Sequence, residues 1–161
     1  MAKILATRGA QPLLVSEFVF NFNDTMLNTS GVEKTFGSVY TDAGTFEIIN
    51  LPPGAIISHG EVIVLTTGAV TSGNYTIAVG NSTTGDLYLA AITLVAAAGT
   101  KYPFTMNTLT GTDSAVSAIG GHAGLNVRMT YVNSEANATT GKWAVRVYWT
   151  LDYKVNETYP Q

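Results

Sequence analysis

The feature that most constrains the fold is a strict two-residue alternation near the C-terminus. Over 143–154, six large apolar side chains alternate with smaller or polar ones, the apolar set being Trp143, Val145, Val147, Trp149, Leu151 and Tyr153. A period of two puts one set on each face of a β-strand, and a helix cannot accommodate it. The chain must therefore build a sheet that buries one face of this segment.

Shorter alternating runs separated by Gly, Pro and Asn turns predict further strands, at 17–22, 46–51, 61–67, 75–79 and 124–132, with weaker ones at 102–106 and 116–119. This spacing predicts an all-β sandwich or barrel of one domain, covering residues 17–155. The segment 87–98 stays open between a short helix and a strand. The expected core comprises Phe18, Phe20, Val62, Val64, Ile77, Val127, Met129, Val145, Val147 and Trp149.

The first sixteen residues show no alternation and contain a small apolar cluster, Leu13, Leu14 and Val15. One interpretation is an extended N-terminal arm, residues 1–16, that orders against a partner surface. The other is a segment that covers an open edge of its own sheet. Residues 156–161 are expected to form a C-terminal tail.

Composition argues against most catalytic and ligand-binding functions. Only 12% of the 161 residues are charged and 46% are hydrophobic, the net charge is −3, and there is no cysteine. We expect no nucleic-acid partner, because there is no basic patch, and no membrane partner, because no apolar stretch could span a bilayer. The two histidines, His59 and His122, lack metal-ligand spacing and are expected in loops. We therefore expect no catalytic residue, no metal and no cofactor, and hence no enzyme.

Aromatic residues on the 143–154 segment have two interpretations. Trp143 and Trp149 share a face with valines, which favours core packing over a stacking platform for sugars or bases. Tyr148 lies on the opposite face and is a candidate exposed interface anchor, together with Leu13, Leu14 and Val15.

From residue 51 onward the order of segments is familiar: Leu51-Pro-Pro-Gly-Ala-Ile-Ile, Gly60-Glu-Val-Ile-Val, Asn74-Tyr-Thr-Ile-Ala-Val-Gly-Asn-Ser82, Leu87-Tyr-Leu-Ala-Ala91, Ala97-Ala-Gly-Thr100 and Thr140-Gly-Lys-Trp-Ala-Val-Arg-Val-Tyr148. Over roughly 51–153 the chain resembles capsid decoration, or cement, proteins of tailed bacteriophages. The resemblance implies a jelly-roll-like β-sandwich without catalytic residues.

The resemblance also implies a structural virion protein that binds between capsomers and stabilises the shell. Its partners would be the major capsid protein and itself, as a homodimer or homotrimer on a local symmetry axis. It would be made in the host cytoplasm and sit on the outer capsid surface. Two alternatives remain: a glycan- or receptor-binding β-module of a phage fibre, and a self-assembling coat or tail-tube subunit.

Overall fold

The computed structural model describes residues 13–39, 44–52, 55–81, 85–105, 126–133 and 136–151. Within these ranges the chain forms ten strands: β1 (Leu14–Asn21), β2 (Thr25–Leu27), β3 (Glu33–Thr35), β4 (Gly44–Asn50), β5 (Ala55–Ala69), β6 (Tyr75–Gly80), β7 (Leu89–Thr93), β8 (Lys101–Pro103), β9 (Asn126–Asn133) and β10 (Thr140–Leu151). In the part of the chain that is described, no helix is long and apolar enough to cross a membrane.

Eight of these strands form two four-stranded antiparallel sheets. One sheet has the order β1-β10-β5-β8 and the other has the order β4-β9-β6-β7, while β2 and β3 form a separate hairpin. Most connections between consecutive strands cross from one sheet to the other, as in a jelly roll, while β6 and β7 are neighbours in one sheet. The predicted all-β, jelly-roll-like sandwich is confirmed.

The central position of β10 follows from its alternation. It pairs with β1 on one side and with β5 on the other, so its backbone is bonded along both edges. Its inward side chains Trp143, Val145 and Val147 are fully buried, while Lys142 on the outward face is exposed. A strand bonded on both edges and apolar on one face belongs in the middle of a half-buried sheet.

The core between the sheets is rich in aromatic rings. Phe20 lies 4.9 Å from Phe36 and 5.3 Å from Trp143, measured between ring centroids. Phe36, which follows β3 in a turn, also makes an edge contact with Phe46 at 5.0 Å. Such tilted and edge-on pairs add to the stabilisation from burial alone. Phe36 therefore closes the sandwich from a loop, which alternation could not predict.

The predicted core is confirmed in most positions. Eight of the ten residues are fully buried: Phe20, Val62, Val64, Ile77, Val127, Met129, Val145 and Val147. Phe18 and Trp149 are only partly buried and pack against the edge of the core. Both lie on β1 or on the end of β10 next to it, where the second sheet covers the first less completely.

Several element boundaries differ from the prediction. The structure starts the sandwich at Leu14 instead of Glu17, and β5 begins at Ala55 instead of residue 61. The segment 87–98 contains no helix, because Leu89–Thr93 forms β7 against β6. The weak strand at 102–106 is β8, Lys101–Pro103. The predicted strand 116–119 lies outside the described residues, as do residues 1–12 and the tail 156–161.

Candidate interaction surface

The side of the β1-β10-β5-β8 sheet that faces away from the second sheet is called the outer face here. Its side chains form cross-strand rows, because residues opposite each other in an antiparallel pair point to the same side. One row contains Val15, Tyr148 and His59. Backbone pairing from β1 through β10 to β5 supports the outer face.

The first row carries an aromatic stack. The rings of Tyr148 and His59 lie 4.2 Å apart with an interplanar angle of 10°. The pairing between β5 and β10 shifts register next to Tyr148, so that Ser58 is an extra residue on β5. Such a β-bulge changes the direction of nearby side chains. It brings His59 over Tyr148, and Val15, which is 54% exposed, borders the stack from β1.

Hydrogen bonds of Ser58 fix the histidine. The Ser58 hydroxyl donates to the carbonyl oxygen of Tyr148 at 3.1 Å, and its oxygen lies 2.9 Å from His59 Nδ1. A hydroxyl has one proton to donate, so it accepts from the Nδ1–H group of His59. The stack is therefore held by the strand backbone as well as by ring contact.

A second row is charged: Glu17, Arg146 and Glu61 lie opposite one another, and Lys101 on β8 joins them diagonally, because its own register partner is Ile63. Arg146 on β10 pairs with Glu17 on β1 and lies 3.8 Å from Glu61 on β5, and Lys101 on β8 lies 3.4 Å from Glu61. The hydrogen bond that Arg146 donates to the Glu17 carboxylate raises the pKa of Arg146 above its already high usual value. With two acids and two bases, the row is neutral. The outer face thus presents paired charges instead of a net field.

A third row is apolar and consists of Val19, Ala144 and Ile63. Ala144 and Ile63 are buried although they lie on the outer face, while Val19 at the sheet edge is 40% exposed. The apolar residues of this row are therefore covered on β5 and β10 and exposed on β1.

A glycine on β5 is required by the packing beneath the outer face. A Cβ atom at Gly60 would lie 2.3 Å from a ring carbon of Phe104 and 2.7 Å from the carbonyl oxygen of Arg146. Phe104 also stacks on Tyr88 at 5.8 Å, and burial raises the pKa of Tyr88 to about 12. The absent side chain lets this aromatic pair fill the end of the sandwich.

The structure brings two of the four predicted interface residues together. Val15 and Tyr148 are direct register partners on the outer face, and the exposed Leu13 lies just before β1. Leu14 is placed differently: it opposes Trp149 on the inward side of the sheet and is half-buried. The apolar cluster read from the sequence is thus divided by the strand alternation.

Sequence analysis missed two features of this surface. His59 was expected in a loop, but it lies within β5. The β2–β3 hairpin also exposes two large apolar side chains, Leu27 at 61% and Val32 at 49%. The only early signal for the hairpin is the Asn28–Gly31 segment, whose residue types favour a tight turn.

The hairpin tip is rigid. The Asn28 side-chain oxygen accepts hydrogen bonds from the backbone N–H groups of Ser30 at 3.0 Å and Val32 at 2.8 Å. Gly31 adopts a positive φ of 75°, and Thr29 N–H donates to the carbonyl oxygen of Thr45 on β4. The exposed Leu27 and Val32 are therefore held in fixed positions.

The described residues contain no group of three His, Cys, Asp or Glu side chains that could hold a metal ion. His59 contacts an aromatic ring and a serine, and His122 lies outside the described residues. The arrangement on the outer face suits contact with another protein surface. It combines a tyrosine and an arginine, which are enriched at protein interfaces, with exposed valines that add apolar contact area.

The similarity of this chain to known proteins lies in its fold. No protein-family model and no curated protein matches this chain. A chain in the capsid asymmetric unit of cyanophage Pam1 is similar, with a TM-score of 0.61 and 21% sequence identity over 94% of each chain. The likeness shows that the two chains share a fold, and it establishes the shared fold alone.

Two further capsids contain chains with weaker similarity. A chain in the acidic stable capsid of Helicobacter pylori bacteriophage KHP30 matches with a TM-score of 0.48 and 16% identity, over 86% of this chain and 87% of that one. A chain in the capsid of Ralstonia phage GP4 matches with a TM-score of 0.45 and 17% identity, over 94% of this chain and 91% of that one.

Proposed function

We propose that this chain is a structural protein of a bacteriophage virion that decorates the outer capsid surface and stabilises the shell by binding between capsomers. The observation that carries the proposal is the shared fold with a chain of the Pam1 capsid. Because the alignment covers the same 94% of both chains, the two are of similar length and match as whole folds. The major capsid protein would be the main partner.

Bridging two capsomers needs two separate contact surfaces, and the described residues offer two. One is the Val15–Tyr148 region of the outer face, near the start of β1. The other is the rigid hairpin tip with Leu27 and Val32, which is attached beyond the far end of β1. From Val15 to Asn21 the strand alone spans about 20 Å, at roughly 3.3 Å per residue.

The character of both surfaces fits a protein partner. Exposed apolar side chains on rigid elements lose little conformational entropy on binding, so that more of the contact free energy remains as affinity. On the outer face the charges of Glu17, Arg146 and Glu61 already satisfy one another. Covering this row with a partner therefore leaves no isolated charge, which would otherwise be costly.

The test is to mix the purified protein with capsids that lack it and to determine occupancy by cryo-electron microscopy. Tyr148→Asp and Leu27→Asp should each reduce binding at least tenfold, and Val95→Asp, at an exposed valine elsewhere, should not. Unchanged binding of both variants would refute the two-surface arrangement. Shells or tubes formed by the protein alone would instead indicate a coat or tail-tube subunit, and no binding to any capsid would refute the proposal.

A further inference from the structure

Strand β1 is the outer edge of its sheet, and its hydrogen-bonding directions can be assigned. Phe22 N–H donates to the carbonyl oxygen of Gly141, which continues the β1–β10 pairing by one residue. In an antiparallel pair the residues bonded to the neighbour alternate along the strand. The even-numbered residues of β1 therefore bond to β10, and the backbone groups of Val15, Glu17 and Val19 point away from the sheet.

One end of this edge is capped, and the rest is open. At Asn21, the outward N–H group donates to a carboxylate oxygen of Asp24 at 2.7 Å, and the carbonyl accepts from Asp24 N–H at 3.1 Å. Among the described residues, β10 is the only strand that pairs with β1. The outward backbone groups of Val15, Glu17 and Val19 thus form an open segment that ends at a local cap.

The one charged residue of β1, Glu17, is paired with Arg146, and β1 lacks the other built-in features that protect a sheet edge. Proteins discourage pairing at sheet edges with short strands, lysine, proline or bulges. The opposite edge of the same sheet follows that rule, because β8 has three residues and contains Lys101 and Pro103. In contrast, β1 has eight residues, contains neither lysine nor proline, and pairs with β10 without a shift in register.

We propose that the open edge of β1 pairs antiparallel with β1 of a second copy of this chain, so that the two sheets form one continuous eight-stranded sheet. The outward residues are symmetric about Glu17, with a valine two positions away on each side. A two-fold axis at Glu17 places Val15 opposite the partner's Val19, and this contact occurs twice. Such self-complementarity is what a two-fold interface requires.

The register centred on Glu17 uses all the open groups. Three residue pairs exchange two hydrogen bonds each, or about six in total. A register centred on Phe18 would instead need the backbone of Asn21, which Asp24 already occupies. The two Glu17 carboxylates that meet at the axis each bring their own Arg146. The centre of the interface is thus a neutral set of two acids and two bases.

This inference names a surface for the self-association expected of the proposed decoration protein. Pairing is made through the backbone at the β1 edge and capsid contact through side chains of the outer face, and Val15 borders both surfaces. The experiment therefore measures association of the full-length protein without capsids. A monomeric protein that still binds capsids would refute the edge pairing and leave the proposed function standing.

Sedimentation equilibrium of the full chain should show a dimer at about 100 µM, a concentration that reveals contacts of micromolar affinity. Val19→Lys adds the charge that protected edges use and should weaken dimerisation at least tenfold. Val95→Lys is the matched control, because Val95 is 42% and Val19 40% exposed. Amide hydrogens of Val15, Glu17 and Val19 should become protected from exchange as protein concentration rises.

Cross-linking tests the register directly, since the chain has no cysteine of its own. Glu17→Cys should form a disulfide-linked dimer on mild oxidation, because paired residues lie about 5.5 Å apart, within disulfide range. Asn21→Cys should not form such a dimer, because in this register residue 21 of one copy lies several residues away from residue 21 of the other copy. A monomer at this concentration, an oligomer insensitive to Val19→Lys, or equal cross-linking at both positions would each overturn the proposal.

Discussion

Replacing Val147 with aspartate tests the assignment of the inward face of β10. Val147 is fully buried and lies between Ser16 on β1 and Gly60 on β5. Losing its burial costs roughly 1.5–3 kcal/mol, and placing a carboxylate there costs several kcal/mol more, even after relaxation. Since domains of this size are stable by about 5–15 kcal/mol, Val147→Asp should abolish cooperative folding at 25 °C.

Val147→Thr gives a measurable intermediate case, because it keeps the shape of valine and buries one hydroxyl. We expect a loss of about 1–3 kcal/mol in the free energy of unfolding, measured by urea titration with circular dichroism and tryptophan fluorescence. Lys142→Asp is the control on the outward face of the same strand, with an expected change within about 0.5 kcal/mol. If both Val147 variants matched the wild type, the inward assignment of this face would be refuted.

Two further predictions concern one end of the sandwich. Burial raises the pKa of Tyr88 to about 12. The stabilisation contributed by its protonated side chain is therefore fully present below pH 10 and is lost as pH rises through 12, a loss of at most about 3 kcal/mol. The free energy of unfolding measured at pH 8–11 should fall less steeply with pH for Tyr88→Phe than for the control Tyr102→Phe. Gly60→Ala should cost about 1–3 kcal/mol in urea unfolding, because its Cβ would meet Phe104 and a backbone carbonyl of β10, whereas Gly85→Ala should change little.

The contacts on the outer face depend on strand pairing, which no local sequence pattern predicts. Glu17, Glu61 and Arg146 are far apart in sequence, and only the order β1-β10-β5 places them in one row. The loop position predicted for His59 is wrong, because His59 lies within β5. Gly60 next to it is the place where Phe104 approaches the strand.

The fold class and most of the core can be predicted from the sequence. Alternation over 143–154 fixed which side chains of β10 face inward, because adjacent residues of a strand must point to opposite sides. The same rule separates Leu14 from Val15 once β1 is known to start at Leu14, but the predicted strand 17–22 leaves both residues outside the strand.

Only the tertiary structure decided which strands are neighbours and which edge is open. Strand order depends on packing between segments that are more than a hundred residues apart, as for β1 and β10. The segment 87–98 shows the same effect, since its residues suit a helix or a strand and pairing with β6 selects the strand. Local propensity is a weak term, and burial of one sheet against the other outweighs it.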